Sequence, residues 1–203
     1  MRNSANLRLR VAFFLFLWYI IIVMETIYYL SDLKWFNRKA GNYSSKQHAL
    51  KSHLEYIVKS KDFELAFGDK DYILERSVLA DKRANSRIAC SFVFAIPNDV
   101  EDVKSFIHEL REEIAKFNNM KTEDIFIGFH DSTGISGEKN KHLHIVLVNL
   151  DENNKGIRLG RDRNAITEFH KLMKEFLIGK GYTIRKEQEQ KHIGTRLRYD
   201  EEL

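Results

Sequence analysis

The pattern of apolar and polar positions divides the chain into helical stripes and short apolar runs. Residues 44–60, SSKQHALKSHLEYIVKS, place Leu50, His53, Leu54 and Ile57 on one helical face, and Ser44 or Ser45 is available as the cap. Tyr56 lies at the border of that stripe, over Ser52 and His53. RIACSFVFAI, residues 87–96, is rich in aromatic and aliphatic residues and stops at Pro97, which predicts a strand. Residues 98–117 put Val103, Phe106, Ile107, Leu110, Ile114 and Phe117 on one helical stripe, with Asn98 or Asp99 as its cap. EDIFIGF and LHIVLVNL predict two further strands. AITEFHKLMKEFLIGKG predicts a second amphipathic helix through Ile166, Phe169, Leu172, Met173, Phe176 and Leu177, stopped at Gly179 and Gly181. GYTIRKEQ opens a last short strand. Lys61 to Asn85 alternates acids and bases and yields no clear element.

Strands interleaved with helices give an α/β (α+β) class. The short connection from DIFIGFH to HLHIVLV makes the central sheet largely antiparallel, with helices packed on its faces. The 203 residues suit one domain, at about residues 40–190, preceded by a basic and hydrophobic segment (1–35) and followed by a charged tail (191–203).

The N-terminal segment changes this soluble picture. VAFFLFLWYIIIVM, residues 11–24, carries no charge, and ETIYYL extends it to Leu30 with one acid. About twenty apolar residues just span a bilayer, so residues 11–30 are a candidate membrane contact; a buried element and an upstream extension from a misplaced start are the other readings. Basic residues flank the run on both sides, so orientation is not set by the positive-inside rule. The absence of a small-residue cleavage site argues against a removable signal peptide.

Composition adds two limits. Thirty-three Lys+Arg against 29 Asp+Glu leave a net charge of +4, which permits nucleic-acid binding without demanding it. The single cysteine, Cys90, excludes an intramolecular disulfide framework and fits a reducing cytosol. A protein-held metal must therefore rely mainly on histidine and carboxylate.

The histidines of HDSTGISGEKNKHLHIVLVN, residues 130–149, supply such a set. Side chains alternate along a strand, so His142 and His144 share a face about 6.5 Å apart. Val146 and Val148 continue that face; Leu143, Ile145 and Leu147 make the other apolar as well, as in a central strand. An antiparallel hairpin across the Asp131–Lys141 loop brings His130 to the same corner. Three neutral imidazoles there make a metal site with open coordination positions. His48, His53, His108, His170 and His192 lie on helices or in polar tracts and read as surface or partner-bonded residues.

This arrangement, His-hydrophobic-His on a central strand with a third His closing the preceding one, resembles the metal motif of the HUH endonucleases. It is most similar to that of relaxases, the mobilisation nucleases that nick plasmid DNA at an origin of transfer. HLHIVLVN with Asn149, and a following helix ending in KGY, fit that pattern. So does HLEYIVKS, where relaxases carry a nucleophilic tyrosine on a helix upstream of the histidines. SFVFAIP, residues 91–97, is similar to the strand that follows in the family. The resemblance spans roughly Lys46 to Gly181. It departs from the family in the apolar N-terminal run and in the absence of a following helicase or primase region, so a minimal nuclease or a fragment of a larger gene is expected.

What the resemblance implies is site- and strand-specific DNA nicking and strand transfer by Tyr56, through a 5′-phosphotyrosine intermediate, with accessory relaxosome proteins as partners. It implies Mg²⁺ or Mn²⁺ at the histidines; donor softness alone also admits Zn²⁺ or Ni²⁺. Lys59 stands where the family often has arginine. Asp131 is a candidate for orienting an imidazole or activating the tyrosine, although alternation puts it on the other face. Lys139, Lys141, Arg158, Arg161 and Arg163 are candidates for phosphate contacts near the metal. The expected location is the cytoplasm, with contact to the inner face of the membrane if residues 11–30 insert. Two alternatives remain at this level: a rolling-circle initiator or single-strand transposase using Tyr182 of YTIRK, and a non-catalytic, membrane-tethered binding module.

Overall fold

The structure, a computed structural model, describes residues 25–26, 30–31, 33–37, 45–82, 86–133, 139–162 and 164–184. Most of the apolar run at 11–30, Arg163 and the tail with His192 lie outside the described residues. Among the described residues no helix is long and apolar enough to cross a membrane.

Residues 29–173 form one unit, built on a five-stranded antiparallel sheet. Its strands are β2 (Lys34–Phe36), β3 (Phe63–Phe67), β4 (Ala89–Ala95), β5 (Ile125–Thr133) and β6 (Lys139–Val148), in the order β2-β4-β6-β5-β3. The α+β class and the antiparallel sheet with packed helices are as expected. In a second unit, β1 (Glu25–Thr26) pairs in parallel with β7 (Thr183–Ile184).

β6 is the central strand, and Leu143 and Ile145 to Val148 on it are fully buried, as an apolar run on both faces requires. Register puts His142, His144, Val146 and Val148 on one face. His130, Gly128 and Phe126 of β5 and Ala95, Val93, Ser91 and Ala89 of β4 stand opposite them. Helix α1 (Lys46–Lys59) and helix α2 (Lys70–Ala80) cover this face, through a core that joins Leu50, Leu54, Ile57 and Ile73 to Phe126, Val146 and Val148. Ser45 caps α1 by accepting the His48 N–H at 3.1 Å. The opposite face packs under helix α3 (Val103–Asn118) and the first part, to Met173, of helix α5 (Ala165–Gly179), with Phe92 edge-on to Phe169 at 5.3 Å. A short helix, α4 (Arg158–Arg161), lies between them in sequence.

Three expectations change. The stretch from Lys61 to Asn85, which yielded no element, contains β3 and α2, the latter capped by Asp69. The cap of α3 is Asp102, which accepts the Ser105 N–H at 2.9 Å. Asn98 instead donates from its amide to the Lys139 carbonyl, at 2.8 Å, and so ties Pro97–Val100 to the start of β6. The β5–β6 pairing continues past the histidines through Asp131↔Lys141 to Thr133↔Lys139, so the connecting loop is shorter than predicted.

Candidate metal centre

The histidine corner follows from strand pairing alone. His130 and His142 are register partners, and His144 faces Gly128 one step along. In a strand pair of this kind, side chains opposite one another stand about 5 Å apart. The ring centroids are 4.5 Å apart for His130–His144, 5.1 Å for His142–His144 and 5.2 Å for His130–His142. One nitrogen from each lies within 4.8 Å of the others, which is close enough to share one ion after small ring rotations.

Backbone carbonyls set the tautomers of two of the rings. His130 Nε2 donates to the Ile57 carbonyl at 3.0 Å and His142 Nδ1 to the Asn140 carbonyl at 3.0 Å. A carbonyl only accepts, so in the neutral ring the lone pair lies on Nδ1 of His130 and on Nε2 of His142. Burial favours the neutral form of His144 and His130. It pushes His144 down to about 3, helped by His130, His142 and His53. It also lowers His130, with His142 assisting and the Ile57 carbonyl and Asp62 opposing. Neutral imidazoles with fixed tautomers are the form that binds a metal, so this donor set fits a divalent ion.

Tyr56 stands at the same corner. Its ring is edge-on to His144 at 6.2 Å and roughly parallel to His53 at 6.4 Å, while its side chain is 62% exposed and open to a ligand from solvent. Gly128 allows this approach: a Cβ there would lie 2.3 Å from Ile57 Cγ2, so only glycine lets α1 rest on β5 at this depth. His53, expected to be a surface or partner-bonded residue, is the latter. Its Nε2 bonds Ser91 Oγ at 2.9 Å, and burial, then Lys34, lower it to about 4. A signal for His53 was its position one helical turn before Tyr56. The two carbonyls on the histidines left no trace in the side-chain sequence.

The other proposed residues are spread more widely. Asp131 pairs in register with Lys141 on the face away from the histidines, so the ring partners are carbonyls rather than this carboxylate. Lys141 Nζ donates to the carbonyls of Asn98 at 2.8 Å and Val100 at 3.2 Å, holding the start of α3's approach segment. Lys59 is exposed and pairs with Glu55 at 3.1 Å; Lys139 is exposed at the hairpin end of β6. Arg158 and Arg161 are not near the histidines. Their segment is fastened to Asn149, whose Oδ1 accepts the Ile157 N–H at 3.0 Å, at the other end of β6. Five strand residues from His144 to Asn149 correspond to roughly 16 Å. There Arg158 lies over the Phe117 ring at 4.7 Å and pairs with Glu168, and Arg161 pairs with the buried Asp151 at 3.2 Å. Tyr182 belongs to the second unit.

No family model matches the chain, and no curated protein does. Among solved structures it is similar to one described as the molecular basis of vancomycin resistance transfer in Staphylococcus aureus, with 19% identity, a TM-score of 0.48, and coverage of 79% of this chain and 97% of that one. It is also similar to the MobM relaxase domain (MOBV; Mob_Pre) bound to plasmid pMV158 oriT DNA of 22 nucleotides, in a manganese-bound crystal structure. There the identity is 17% and the TM-score 0.47, covering 78% of this chain and 90% of that one. The same MobM domain with a 3′-thiophosphate on the DNA gives 16%, 0.46, 77% and 89%. The structural neighbours of this chain thus include MobM relaxase domains, at low sequence identity.

Proposed function

We propose that the chain is a relaxase: a metal-dependent endonuclease that nicks one strand of DNA at a plasmid origin of transfer and passes it on through a covalent tyrosine adduct. The observation that carries this reading is the Tyr56 ring set 6.2 Å from His144, beside three imidazoles that each offer a nitrogen within 4.8 Å of the others. A nucleophile and a cation site within one phosphate's reach of each other are what phosphodiester transesterification needs.

In the proposed reaction the Tyr56 hydroxyl oxygen attacks the scissile phosphorus. The P–O3′ bond breaks, the tyrosine proton leaves, and the 3′ oxygen departs as a hydroxyl after taking up a proton. The product is a 5′-phosphotyrosine, whose ester energy is retained for rejoining. A phenol hydroxyl is a weak nucleophile, so this step asks the surroundings of Tyr56 to activate it. His130, His142 and His144 would hold a divalent ion, Mg²⁺ or Mn²⁺ in this proposal, which would supply positive charge to offset that developing on the phosphate.

Single-stranded origin-of-transfer DNA is the proposed substrate, and relaxosome accessory proteins are proposed partners. Lys59 and Lys139, exposed near this end of the sheet, are proposed backbone contacts; Arg158 and Arg161 would reach only DNA that runs to the far end. Cytoplasmic location, with membrane contact through residues 11–30, stays part of the proposal.

The test is cleavage of a labelled single-stranded oligonucleotide by the full chain with Mn²⁺. His142→Ala is expected to lower nicking at least about 100-fold, the upper end of what loss of a residue supporting a metal ligand costs. Nicking that survives both this substitution and a chelator contradicts the metal's part in the reading, and absence of any Mn²⁺-dependent nicking contradicts the reading whole and favours a binding module whose histidines are structural.

A further inference from the structure

The end of α1 is held by the metal corner itself. Its last four carbonyls have no partner within the helix and must find one outside. The Tyr56 carbonyl receives the Ser60 N–H at 3.2 Å, and the next carbonyl, Ile57, receives His130 Nε2–H at 3.0 Å. His130 is 2% exposed and stands edge-on to Phe63 at 6.0 Å, with His142 opposite it in the strand register. A β-bulge between Phe63 and Leu65 aims Phe63 at this ring. The ring is therefore held with Nε2 toward the helix, which leaves Nδ1 as the nitrogen with a lone pair for a metal. Gly128, the strand position opposite His144, keeps the helix close enough for the bond.

We propose that His130 is a positioning residue that links metal ligation to the placement of Tyr56. It binds the ion through Nδ1 and holds the residue after Tyr56 through Nε2–H. This inference rests on the metal reading above. Ligation draws electron density from the ring, makes Nε2–H a stronger donor, and tightens its bond to the Ile57 carbonyl. The final turn of α1 is then firmer with the ion bound than without it, and the nucleophile is set in place when the cation that assists it has arrived. The site takes its ligand nitrogens in a mixed pattern, Nδ1 from His130 and Nε2 from His142. A histidine that merely caps the helix would hold Ile57 equally well with or without metal.

The test uses the full chain with ¹⁵N-labelled histidine and Zn²⁺ as a diamagnetic probe, its binding followed by calorimetry. Ring ¹H–¹⁵N correlations are expected to show the proton on Nε2 of His130 and on Nδ1 of His142 in the Zn²⁺ form. Amide exchange across residues 56–60 is expected to slow about fivefold on Zn²⁺ binding, the scale of a neutral bond becoming charge-assisted. His130→Gln keeps a donor for Ile57 but no imidazole, and should show no such slowing. His144→Ala should weaken Zn²⁺ binding yet slow exchange once saturated. The inference is overturned by Zn²⁺ binding that leaves exchange at 56–60 unchanged, by ligation through Nε2 of His130, or by equal slowing in His130→Gln. Absence of Zn²⁺ binding overturns it together with the metal reading. Loss of nicking with the metal-dependent slowing intact overturns only the proposed reaction.

Discussion

Depressed imidazoles show how the site is prepared. His144, lowered to about 3, and His53, lowered to about 4, remain neutral over the whole physiological range. In the unfolded chain both titrate near 6.5. Between those limits the unfolded state binds more protons than the folded one, so stability rises with pH there and is lost as pH falls from about 6.5. The metal-free protein is therefore expected to be less resistant to urea at pH 5 than at pH 7, with most of the difference removed in a His53→Gln/His144→Gln variant. Equal midpoints at the two pH values in the unsubstituted protein would contradict the burial assigned to these rings. At this scale the convergence of His130, His142 and His144 was legible in the sequence because strand alternation and one hairpin decide where they meet. Their tautomers were not, since main-chain carbonyls of Ile57 and Asn140 set them.

Among the elements, the junction of α1 with β5 is the most constrained. Gly128→Ala places a methyl 2.3 Å from Ile57 Cγ2, and helix or strand must shift. Overpacking of this kind costs about 1–3 kcal/mol, and here it would also displace Tyr56. Urea unfolding and adduct yield should both fall, and Gly128→Ala combined with Ile57→Ala should cost less than the sum of the two single changes. Strict additivity would mean that the two sites do not touch. A second junction is the ion pair from Arg76 of α2 to Asp124, which precedes β5, with Nε at 2.8 Å and Nη2 at 3.0 Å from a fully buried carboxylate. Arg76→Met leaves that charge unpaired and should destabilise by about 3–5 kcal/mol in urea melts; a change under 1 kcal/mol would show that water reaches Asp124. Neither α2 nor β3 stood out in the sequence. β3 is an edge strand whose Phe63, Leu65 and Phe67 do alternate, but the bulge turns Phe63 to the opposite face from Leu65. α2 buries only Ile73, Ser77 and Ala80, too thin a stripe to rise above its charges. The strong elements, β4 to β6 and α3, were readable because both their faces or one broad stripe are apolar.

For the whole molecule, the sheet separates two kinds of chemistry. Histidines and Tyr56 gather where β5 leaves and β6 begins, whereas the arginines of 158–161 serve structure at the other end, through Asp151, Glu168 and Phe117. Sequence spacing placed those arginines soon after the histidines, but the rest of β6 beyond His144 runs to the other end of the sheet before their segment begins. Tyr56 is the proposed nucleophile served by this corner. Mass spectrometry of the full chain, incubated with Mn²⁺ and an origin-of-transfer oligonucleotide and then digested, tests it directly. The account predicts a 5′-phosphonucleotide adduct on the peptide containing Tyr56, absent in Tyr56→Phe and in His142→Ala and retained in Tyr182→Phe. An adduct that persists in Tyr56→Phe, or that maps to Tyr182, contradicts it.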